Sequence, residues 1–518
     1  MRNSRSRVLR LALLIAVLAG VAGVTADLAR AGTEPIWPTQ QWQASSPEEQ
    51  GMDSAALARL IDFGQTRNLD SLLIVRHGKM VLDAYYAPYT ADIPHAVNSV
   101  TKAVVGTLAA IALKEGVLDS TSHPVLDYFG DRTIENADDR KRTITLQHLL
   151  DMTSGLAWTE PLTDNRFESV VEMERSPNWV KFVLDRPMAR TPGESFDYNS
   201  GNPHLLSAIL TKVTGMSAED YARTKLFGPL GIGKWQWRRD PRGISTGGYG
   251  LALLPHDMAK LGYLYLRRGE WEGKSLVSAE WIDKVNHASV DMNTTFDPTL
   301  RYSNFFWARP DNQVYFANGY HCQMILVYPA LDIVAVTTAR GDCAAGRLAT
   351  YIADAARSAN ALPPDPNGAN LLASTVRDIA VEKPTEHDRT SPLALTVSGK
   401  AYHFQRNALL VKSLSLTLDN PRPRYELELY NLNPKNPPIM LTGPIGLDGV
   451  YRSGPPTPMG VNAAKANWLN DHTLVINSLI VGGSNPAQRW TLWFDGDKLN
   501  LRGSLDGRAV SIDSDPGG

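Results

Sequence analysis

The chain contains a serine and a lysine at a spacing that would let the lysine act on the serine. They are the two ends of the tetrad Ser99-Val100-Thr101-Lys102, the single Ser-x-x-Lys in the sequence. A serine hydroxyl is a weak nucleophile until a neighbouring base removes its proton. Residues i and i+3 lie on one face of a helix, so Lys102 would lie beside the Ser99 hydroxyl. The tetrad therefore predicts Ser99 as a nucleophile and Lys102 as its base.

The tetrad opens a predicted helix that would bury the lysine. Asn98 is the predicted N-cap, the helix runs to about Glu115, and Gly116 ends it. Most faces of this helix are apolar, and burial disfavours an ammonium relative to a neutral amine. The pKa of Lys102 should therefore fall, which would let it accept a proton. The first helical turn also leaves backbone N–H groups unpaired beside Ser99.

Further motifs follow the tetrad in a characteristic order. They are His148–Leu156, which reads HLLDMTSGL, Pro192–Ser200, which reads PGESFDYNS, and Gly319–Gln323, which reads GYHCQ. With these motifs, roughly residues 45–358 resemble the class C β-lactamase and penicillin-binding-protein-like serine hydrolases. That family includes carboxylesterases, D-amino-acid peptidases and 6-aminohexanoate-dimer hydrolase.

The resemblance implies a role for each matching residue. Ser99 matches the nucleophile, Lys102 its base, and Tyr198 the tyrosine that relays a proton to the leaving group. Ser200 matches a polar residue that contacts the substrate or the lysine. The backbone N–H groups of Ser99 and Gln323 would form the oxyanion hole, which stabilises the negative charge of the tetrahedral intermediate.

Two departures from the family pattern bear on the substrate. The tyrosine motif reads Tyr-Asn-Ser, with Ser200 where β-lactamases rarely have serine. The third motif lacks the lysine that binds a substrate carboxylate in β-lactamases, and Tyr320 or His321 could replace it. His321 is equally consistent with a structural role in the strand. The departures favour an ester or amide substrate over a β-lactam.

The order of predicted elements indicates an α+β fold followed by an all-β region. Strand hairpins at 71–85 and 323–337 bracket a mostly helical stretch, so residues 32–362 should form an antiparallel sheet flanked by helices. The family resemblance adds a helical subdomain. Residues 363–391 are a predicted linker with a short helix. Residues 392–518 should form an accessory barrel or sandwich, with Trp468, Trp490 and Trp493 in its core.

The N-terminus is typical of a secretory signal peptide. Arginines precede an apolar run over 11–24, and Ala29-Arg30-Ala31 predicts cleavage after Ala31. The run is too short to favour a membrane span, so we expect a periplasmic or secreted protein with no stable span after cleavage. In that setting Cys322 and Cys343 suggest a disulfide, with two buried thiols as the alternative.

Composition excludes some classes of partner. The formal net charge of the 518 residues is −2, which offers no electrostatic reason to bind nucleic acid or an anionic membrane. No metal or organic cofactor is expected, because Ser–Lys–Tyr chemistry is complete without one. The expected partner is a small-molecule or short peptide substrate: a small ester, a D-amino-acid peptide or a linear amide oligomer. The oligomeric state stays open.

The sequence also offers three alternative interpretations. Gly243–Gly247 fits Gly-x-Ser-x-Gly, but no apolar strand precedes Ser245, so this segment is better interpreted as a loop near the active site. The enzyme could also be a β-lactamase or a D-Ala-D-Ala carboxypeptidase. A third interpretation is a catalytically weak binding or sensor protein that acts through its C-terminal β domain.

Overall fold

The computed structural model describes most of the chain beyond the N-terminus. The described residues are 35–162, 166–294, 297–384, 391–431, 436–457, 460–483, 485, 487–505 and 508–515. The predicted signal peptide, 1–31, lies outside them. No described helix is both long and apolar enough to cross a membrane.

An eight-stranded antiparallel sheet forms the centre of the N-terminal region, in the order β2-β1-β13-β12-β11-β10-β9-β8. The small strands β3 to β7 lie in two further antiparallel sheets. The strands are β1 (Leu69–Arg76), β2 (Lys79–Tyr85), β3 (His95–Ala96), β4 (Trp235–Trp237), β5 (Leu251–Leu253), β6 (Glu270–Trp271), β7 (Lys274–Ser275), β8 (Val290–Asp291), β9 (Arg301–Ser303), β10 (Phe306–Arg309), β11 (Val314–Gly319), β12 (Gln323–Tyr328) and β13 (Ile333–Ala339).

Helices precede, separate and follow these strands. They are α1 (Ser54–Gln65), α2 (Val100–Lys114), α3 (Asp139–Arg142), α4 (Leu146–Leu150), α5 (Glu168–Arg175), α6 (Trp179–Asp185), α7 (Gly201–Thr214), α8 (Ala218–Ala222), α9 (Gly228–Leu230), α10 (Pro255–Leu266), α11 (Ala279–Asn286) and α12 (Ala345–Ala355). Helices α1 and α10 pack against strands of the large sheet, and α2 packs between the sheet and α7. The predicted α+β arrangement is confirmed.

The predicted hairpins are present, and together they form the first four strands of the large sheet, from its β2 edge to β12. Strand β1 pairs with β13, so the first and last strands of the region are neighbours. Both strands are buried along their whole length, which explains their continuous apolar sequence. The prediction omitted β8, β9, β10 and β11, which extend the sheet beyond β12.

Helix α2 carries the predicted nucleophile at its start. Every residue from Val100 to Ala112 is buried, as the all-round apolar sequence indicates. The predicted cap is wrong: Asn98 has a left-handed φ of 47°, and its side chain donates to the carbonyl oxygen of Tyr320 at 2.9 Å. Ser99 is the residue that flanks the helix.

The C-terminal region contains two antiparallel sheets that enclose a second core. One has the order β14-β15-β16-β17 and the other runs from β18 to β23 in sequence order. The elements are α13 (Pro366–Ile379), α14 (Leu393–Val397), β14 (Ala401–His403), β15 (Val411–Thr417), β16 (Arg424–Leu429), β17 (Ile439–Pro444), β18 (Arg452–Thr457), β19 (Gly460–Asn470), β20 (Thr473–Val481), β21 (Gln488–Asp495), β22 (Lys498–Leu505) and β23 (Arg508–Asp513).

The predicted linker contains a helix, α13, which has 14 residues, is capped by Asp365 and packs on α1 and β2. One expectation for this region is wrong. Trp493 is 47% exposed and lies outside the core, whereas Trp468 is buried and Trp490 is partly buried. Successive side chains of a strand point to opposite faces, and Trp493 lies on the outer face between the buried Leu492 and Phe494.

Residues 38–518 form one compact unit, in which the two regions meet close to the active-site helix. The Gly482 carbonyl oxygen, at the end of β20, accepts a hydrogen bond of 2.7 Å from the Ala96 N–H. Tyr89 packs against Val481 and Leu479 in a shared apolar cluster. The segment that leads into Ser99 is therefore held by the C-terminal region.

A disulfide closes the end of the β12–β13 hairpin. It joins Cys322 to Cys343, which are 21 positions apart in sequence, with 6.0 Å between their α-carbons. His321 and Cys322 both have left-handed φ values, near 61° and 62°. Non-glycine residues rarely adopt this conformation, so the cross-link helps to hold a strained turn.

We predict that the double substitution Cys322→Ser, Cys343→Ser lowers the free energy of unfolding by about 3 kcal/mol, as expected for closing a loop of this length. Urea unfolding of the oxidised protein and the double variant measures the difference. Reduction of the native protein should reproduce most of the loss. An unchanged unfolding midpoint in both samples would contradict the prediction.

Candidate active site

The structure places Ser99 and Lys102 in direct contact. Lys102 Nζ lies 2.8 Å from Ser99 Oγ and also 2.8 Å from the carbonyl oxygen of Gly248. As a neutral amine, Lys102 would donate to Gly248 and accept the Ser99 proton with its lone pair. This geometry is that of a nucleophile and its base.

Lys102 is held in a dry environment. Its side chain is 1% exposed, and burial lowers its pKa from the ordinary lysine value to about 8. The nearby Glu160 charge opposes this shift. A lysine with such a pKa exchanges protons near neutral pH, as a general base must.

Tyr198 completes the set of groups around Ser99. Tyr198 and Ser99 line the same cavity, and the Tyr198 ring centroid lies 4.7 Å from Lys102 Nζ. Burial raises the pKa of the Tyr198 phenol, so it stays protonated and can donate. Trp307 packs against the ring at a centroid distance of 6.2 Å.

Two of the sequence motifs pair to position Tyr198. In the Met-Thr-Ser-Gly segment, the carbonyl oxygens of Met152 and Thr153 accept backbone hydrogen bonds of 2.8 Å from Asp197 and Gly193. The segment thereby holds the stretch that leads into Tyr198. Helix α4, which precedes it, starts with a capping box between Thr145 and His148.

Glu160 is a buried carboxylate that the motifs did not indicate. It is 8% exposed and lines the active-site cavity. Its Oε1 accepts from Ser200 Oγ at 2.6 Å, and its Oε2 accepts from the Ser200 N–H at 2.8 Å and from Trp158 Nε1 at 2.7 Å. Its position five residues after Gly155 is the only sequence signal that could have pointed to it.

Ser200 has a different position from the one we expected. It is 1% exposed, does not line the cavity, and donates its hydroxyl proton to Glu160. It lies against Gly248, where an added Cβ would be 2.9 Å from the Ser200 carbonyl oxygen. Ser200 thus lies between Glu160 and the backbone that receives Lys102, and it acts as a positioning residue.

The end of strand β11, rather than β12, lies against the nucleophile. A Cβ added at Gly319 would lie 3.2 Å from the Ser99 nitrogen and only 2.3 Å from the Val97 carbonyl oxygen, so this approach requires glycine. Gln323 does not line the cavity, and its side-chain amide donates to the Ala339 carbonyl oxygen at 2.6 Å. The backbone N–H of Gln323, which we expected to be an oxyanion donor, thus belongs to the first residue of β12, outside the cavity lining.

Above Ser99 opens a cavity of about 500 Å³. Leu162, Phe167 and Trp307 contribute apolar walls, and Tyr320 and His321 stack at 3.8 Å between ring centroids beside them. The cavity-lining residues among those described are Ser99, Glu160, Pro161, Leu162, Phe167, Tyr198, Trp307, Asn318, Gly319, Tyr320, His321, Cys322, Gly341, Asp342 and Ala345. This set includes two carboxylates and no arginine or lysine.

The Gly-x-Ser-x-Gly segment is a support for the site rather than a second nucleophile. Ser245 is fully buried, and its hydroxyl accepts a hydrogen bond from the Glu219 N–H at 3.2 Å. The following Gly248 accepts from Lys102. The interpretation as a loop near the active site agrees with this placement.

The fold and the site together define a serine hydrolase of the β-lactamase and penicillin-binding-protein class. The sequence model of the Beta-lactamase family matches residues 40–380, about two thirds of the chain. The chain therefore belongs to the Beta-lactamase family.

Individual relatives include enzymes with different acyl chemistries. A 6-aminohexanoate-dimer hydrolase of Paenarthrobacter ureafaciens is 25% identical over 315 residues, which cover 56% of this chain and 79% of the relative. A monacolin J acid methylbutanoyltransferase of Aspergillus terreus is 26% identical over 158 residues, 28% of this chain and 38% of the relative.

A solved structure shows the same fold. It is a Bacillus anthracis protein assigned as a 6-aminohexanoate-dimer hydrolase, with a TM-score of 0.50 and 19% identity. The match covers 66% of this chain and 88% of the other.

The kcat/KM for a neutral ester should rise with pH through about 8, because only neutral Lys102 can accept the Ser99 proton. At pH 7, one unit lower, roughly a tenth of the enzyme would be active. Glu160→Gln should move this rise in activity to lower pH. The Glu160 charge raises the pKa of Lys102, and the substitution removes that charge. Initial rates from pH 5 to 10 measure both effects.

Glu168→Gln, which neutralises an exposed carboxylate on α5, is the matched control and should leave the rise in place. An upward shift in Glu160→Gln, or a flat native profile, would contradict the assignment of Lys102 as the base.

Gly319→Ala should lower kcat by roughly 10²–10³-fold, the loss seen when an oxyanion-hole donor is removed. The added methyl group would force the strand end away from Val97 and Ser99. Gly233→Ala is the control, because nothing lies within 4 Å of its added Cβ. Steady-state kinetics and thermal unfolding of both variants separate lost catalysis from lost folding; native-like kcat in Gly319→Ala would refute the expectation.

Proposed function

We propose that this protein is an exported serine esterase or amidase that forms an acyl-enzyme on Ser99. The observation that carries the proposal is the 2.8 Å contact between Ser99 Oγ and a buried Lys102 whose pKa is lowered to about 8. The nucleophile, the base and the protonated Tyr198 hydroxyl lie together beside the cavity.

The reaction follows from these positions. Ser99 Oγ attacks the substrate carbonyl carbon while its proton passes to Lys102 Nζ. We assign the oxyanion to the N–H groups of Ser99 and Tyr320, since Tyr320 lines the cavity directly after Gly319. When the intermediate collapses, the leaving alcohol or amine takes the proton from Lys102 through the Tyr198 hydroxyl. Water then cleaves the acyl-enzyme with the same groups.

The charges in the cavity favour a neutral or amine-bearing substrate. Glu160 and Asp342 line it, and the one cation adjoining Ser99 among the described residues is Lys102. A substrate carboxylate would be buried there without a partner, which is costly. This disfavours β-lactam antibiotics and peptides with a free C-terminal carboxylate close to the scissile bond. Small esters, D-amino-acid amides and the amino end of linear amide oligomers fit better.

Export is part of the proposal. The predicted signal peptide would direct the chain to the periplasm or outside the cell, with cleavage after Ala31. The Cys322–Cys343 disulfide supports this location, because such bonds persist in oxidising compartments.

Ser99→Ala should lower kcat/KM for a p-nitrophenyl ester by roughly 10⁴–10⁶-fold, since it removes the oxygen that forms the acyl bond. A fluorophosphonate probe should modify Ser99, whereas Ser245→Ala should remain fully labelled. Mass spectrometry of the labelled peptide identifies the serine. A panel of neutral esters, D-amino-acid amides, 6-aminohexanoate dimer and nitrocefin then defines the substrate class, with nitrocefin expected to be the poorest. Probe uptake elsewhere, or turnover by Ser99→Ala, would refute the proposal.

A further inference from the structure

A second cavity lies within the C-terminal region, remote in sequence from the catalytic residues. It has a volume of about 290 Å³ and lies between the sheet β14–β17 and the sheet β18–β23. Its lining residues are Leu409, Val411, Leu414, Tyr425, Leu427, Leu429, Leu441, Asn462, Ala464, Ile476, Ser478, Leu479, Ile480, Gly483, Asn485, Gln488, Trp490, Leu492 and Leu501.

The walls of this cavity are apolar side chains that the protein core leaves partly uncovered. Tyr425, Leu427 and Leu429 alternate along β16 and point between the sheets, yet each is only partly buried. Leu441 on β17 lines the same wall. Inward-facing leucines normally bury their whole surface, so these side chains retain apolar area that a ligand could cover.

Trp490 is a fixed part of the wall. Its Nε1 donates to Ser478 Oγ at 3.1 Å, and its ring lies so close to Gly503 that an added Cβ there would be 2.8 Å from it. A tryptophan held at its polar edge and packed on backbone presents a rigid apolar face. This wall of the cavity is therefore preformed.

Polar groups cluster on adjacent strands of the six-stranded sheet. Ser478 on β20 lies opposite Gln488 on β21 and opposite Ala464 on β19, and Asn462 is the next inward position along β19. These groups are neutral, and no charged side chain is among the described residues that line the cavity. They can hydrogen-bond a neutral head group, but they would leave a carboxylate or an ammonium without a counter-ion.

We propose that this cavity binds a neutral amphipathic molecule with a straight alkyl chain of about ten carbons. The chain lies between the leucines of β16 and the face of Trp490, and the hydroxyl, ester or amide head lies at Asn462, Ser478 and Gln488. The size follows from volume: an apolar cavity of about 150 Å³ holds benzene, so about 290 Å³ holds roughly twice as many carbon atoms.

The test uses the full-length protein after its Ser99 has been blocked with a fluorophosphonate, so that the catalytic cavity cannot bind the ligand. The neutral dye N-phenyl-1-naphthylamine reports occupancy by fluorescence, and linear alkanols from hexanol to tetradecanol compete with it. Affinity should rise about three- to fourfold per methylene and level off near decanol, where the chain fills the cavity. Decanoate at pH 8 should bind at least tenfold more weakly than decanol.

Variants locate the site. Leu427→Trp should fill the cavity and weaken decanol binding at least tenfold, and Leu441→Trp, on the neighbouring strand, should do the same if the first variant folds poorly. Glu426→Trp adds the same side chain on the outer face of β16 and should bind like the native protein. Both cavity variants should retain ester hydrolysis.

The proposal would be overturned if the alkanols gave no saturable displacement of the dye, or if decanoate bound as tightly as decanol or more tightly. It would also be overturned if blocking Ser99 abolished binding. Unchanged binding in a folded Leu427→Trp or Leu441→Trp protein would overturn it as well. None of these results bears on the assignment of Ser99, which is tested by covalent labelling.

Discussion

The active site depends on keeping the Lys102 amine dry between two oxygen atoms. Ser99 Oγ and the Gly248 carbonyl oxygen each lie 2.8 Å from Nζ, and the rest of the side chain is enclosed by helix α2 and its neighbours. A fully exposed lysine would remain protonated at neutral pH and could not take a proton from serine. Helix α2, the backbone that follows the Gly-x-Ser-x-Gly segment and the Tyr198 ring all contribute to this enclosure.

The Glu160 charge limits how far burial lowers the pKa of Lys102. A buried ammonium without a nearby negative charge would be strongly destabilised when Lys102 receives the Ser99 proton. The Glu160 carboxylate offsets that charge, while its hydrogen bonds to Ser200 and Trp158 fix its position. The lysine is thereby able to hold a proton for part of the reaction and release it afterwards.

Local patterns were sufficient to predict which groups of the candidate site lie together. The tetrad, the helix behind it and the Tyr198 motif are each encoded within a few residues, and the structure brings them together as expected. The two β1–β2 and β12–β13 hairpins were also predicted, because short turns join their strands. The pairing of strands that are distant in sequence, such as β1 with β13, cannot be predicted from such local patterns.

The residues that were misplaced depend on contacts between distant segments. The sequence pattern does not reveal strand β11, which lies beside β12 and ends next to Ser99, so it directs attention to Gln323 rather than to Gly319 and Tyr320. Ser200 was expected to contact substrate or lysine, but Glu160, 40 positions away in sequence, takes its hydroxyl. Asn98 looks like a helix cap from its type, yet its amide reaches Tyr320, 222 positions away.

The hydrogen bond from Ala96 to the carbonyl of Gly482 makes the C-terminal sheets part of the catalytic scaffold. Ala96 is three residues before the nucleophile, so a shortened chain ending at α13 would expose an unpaired backbone N–H and the apolar surface around Tyr89. The two regions are therefore not interchangeable modules. Damage to the end of β20 should therefore reach the active site through the backbone, without any change in a residue that lines the cavity.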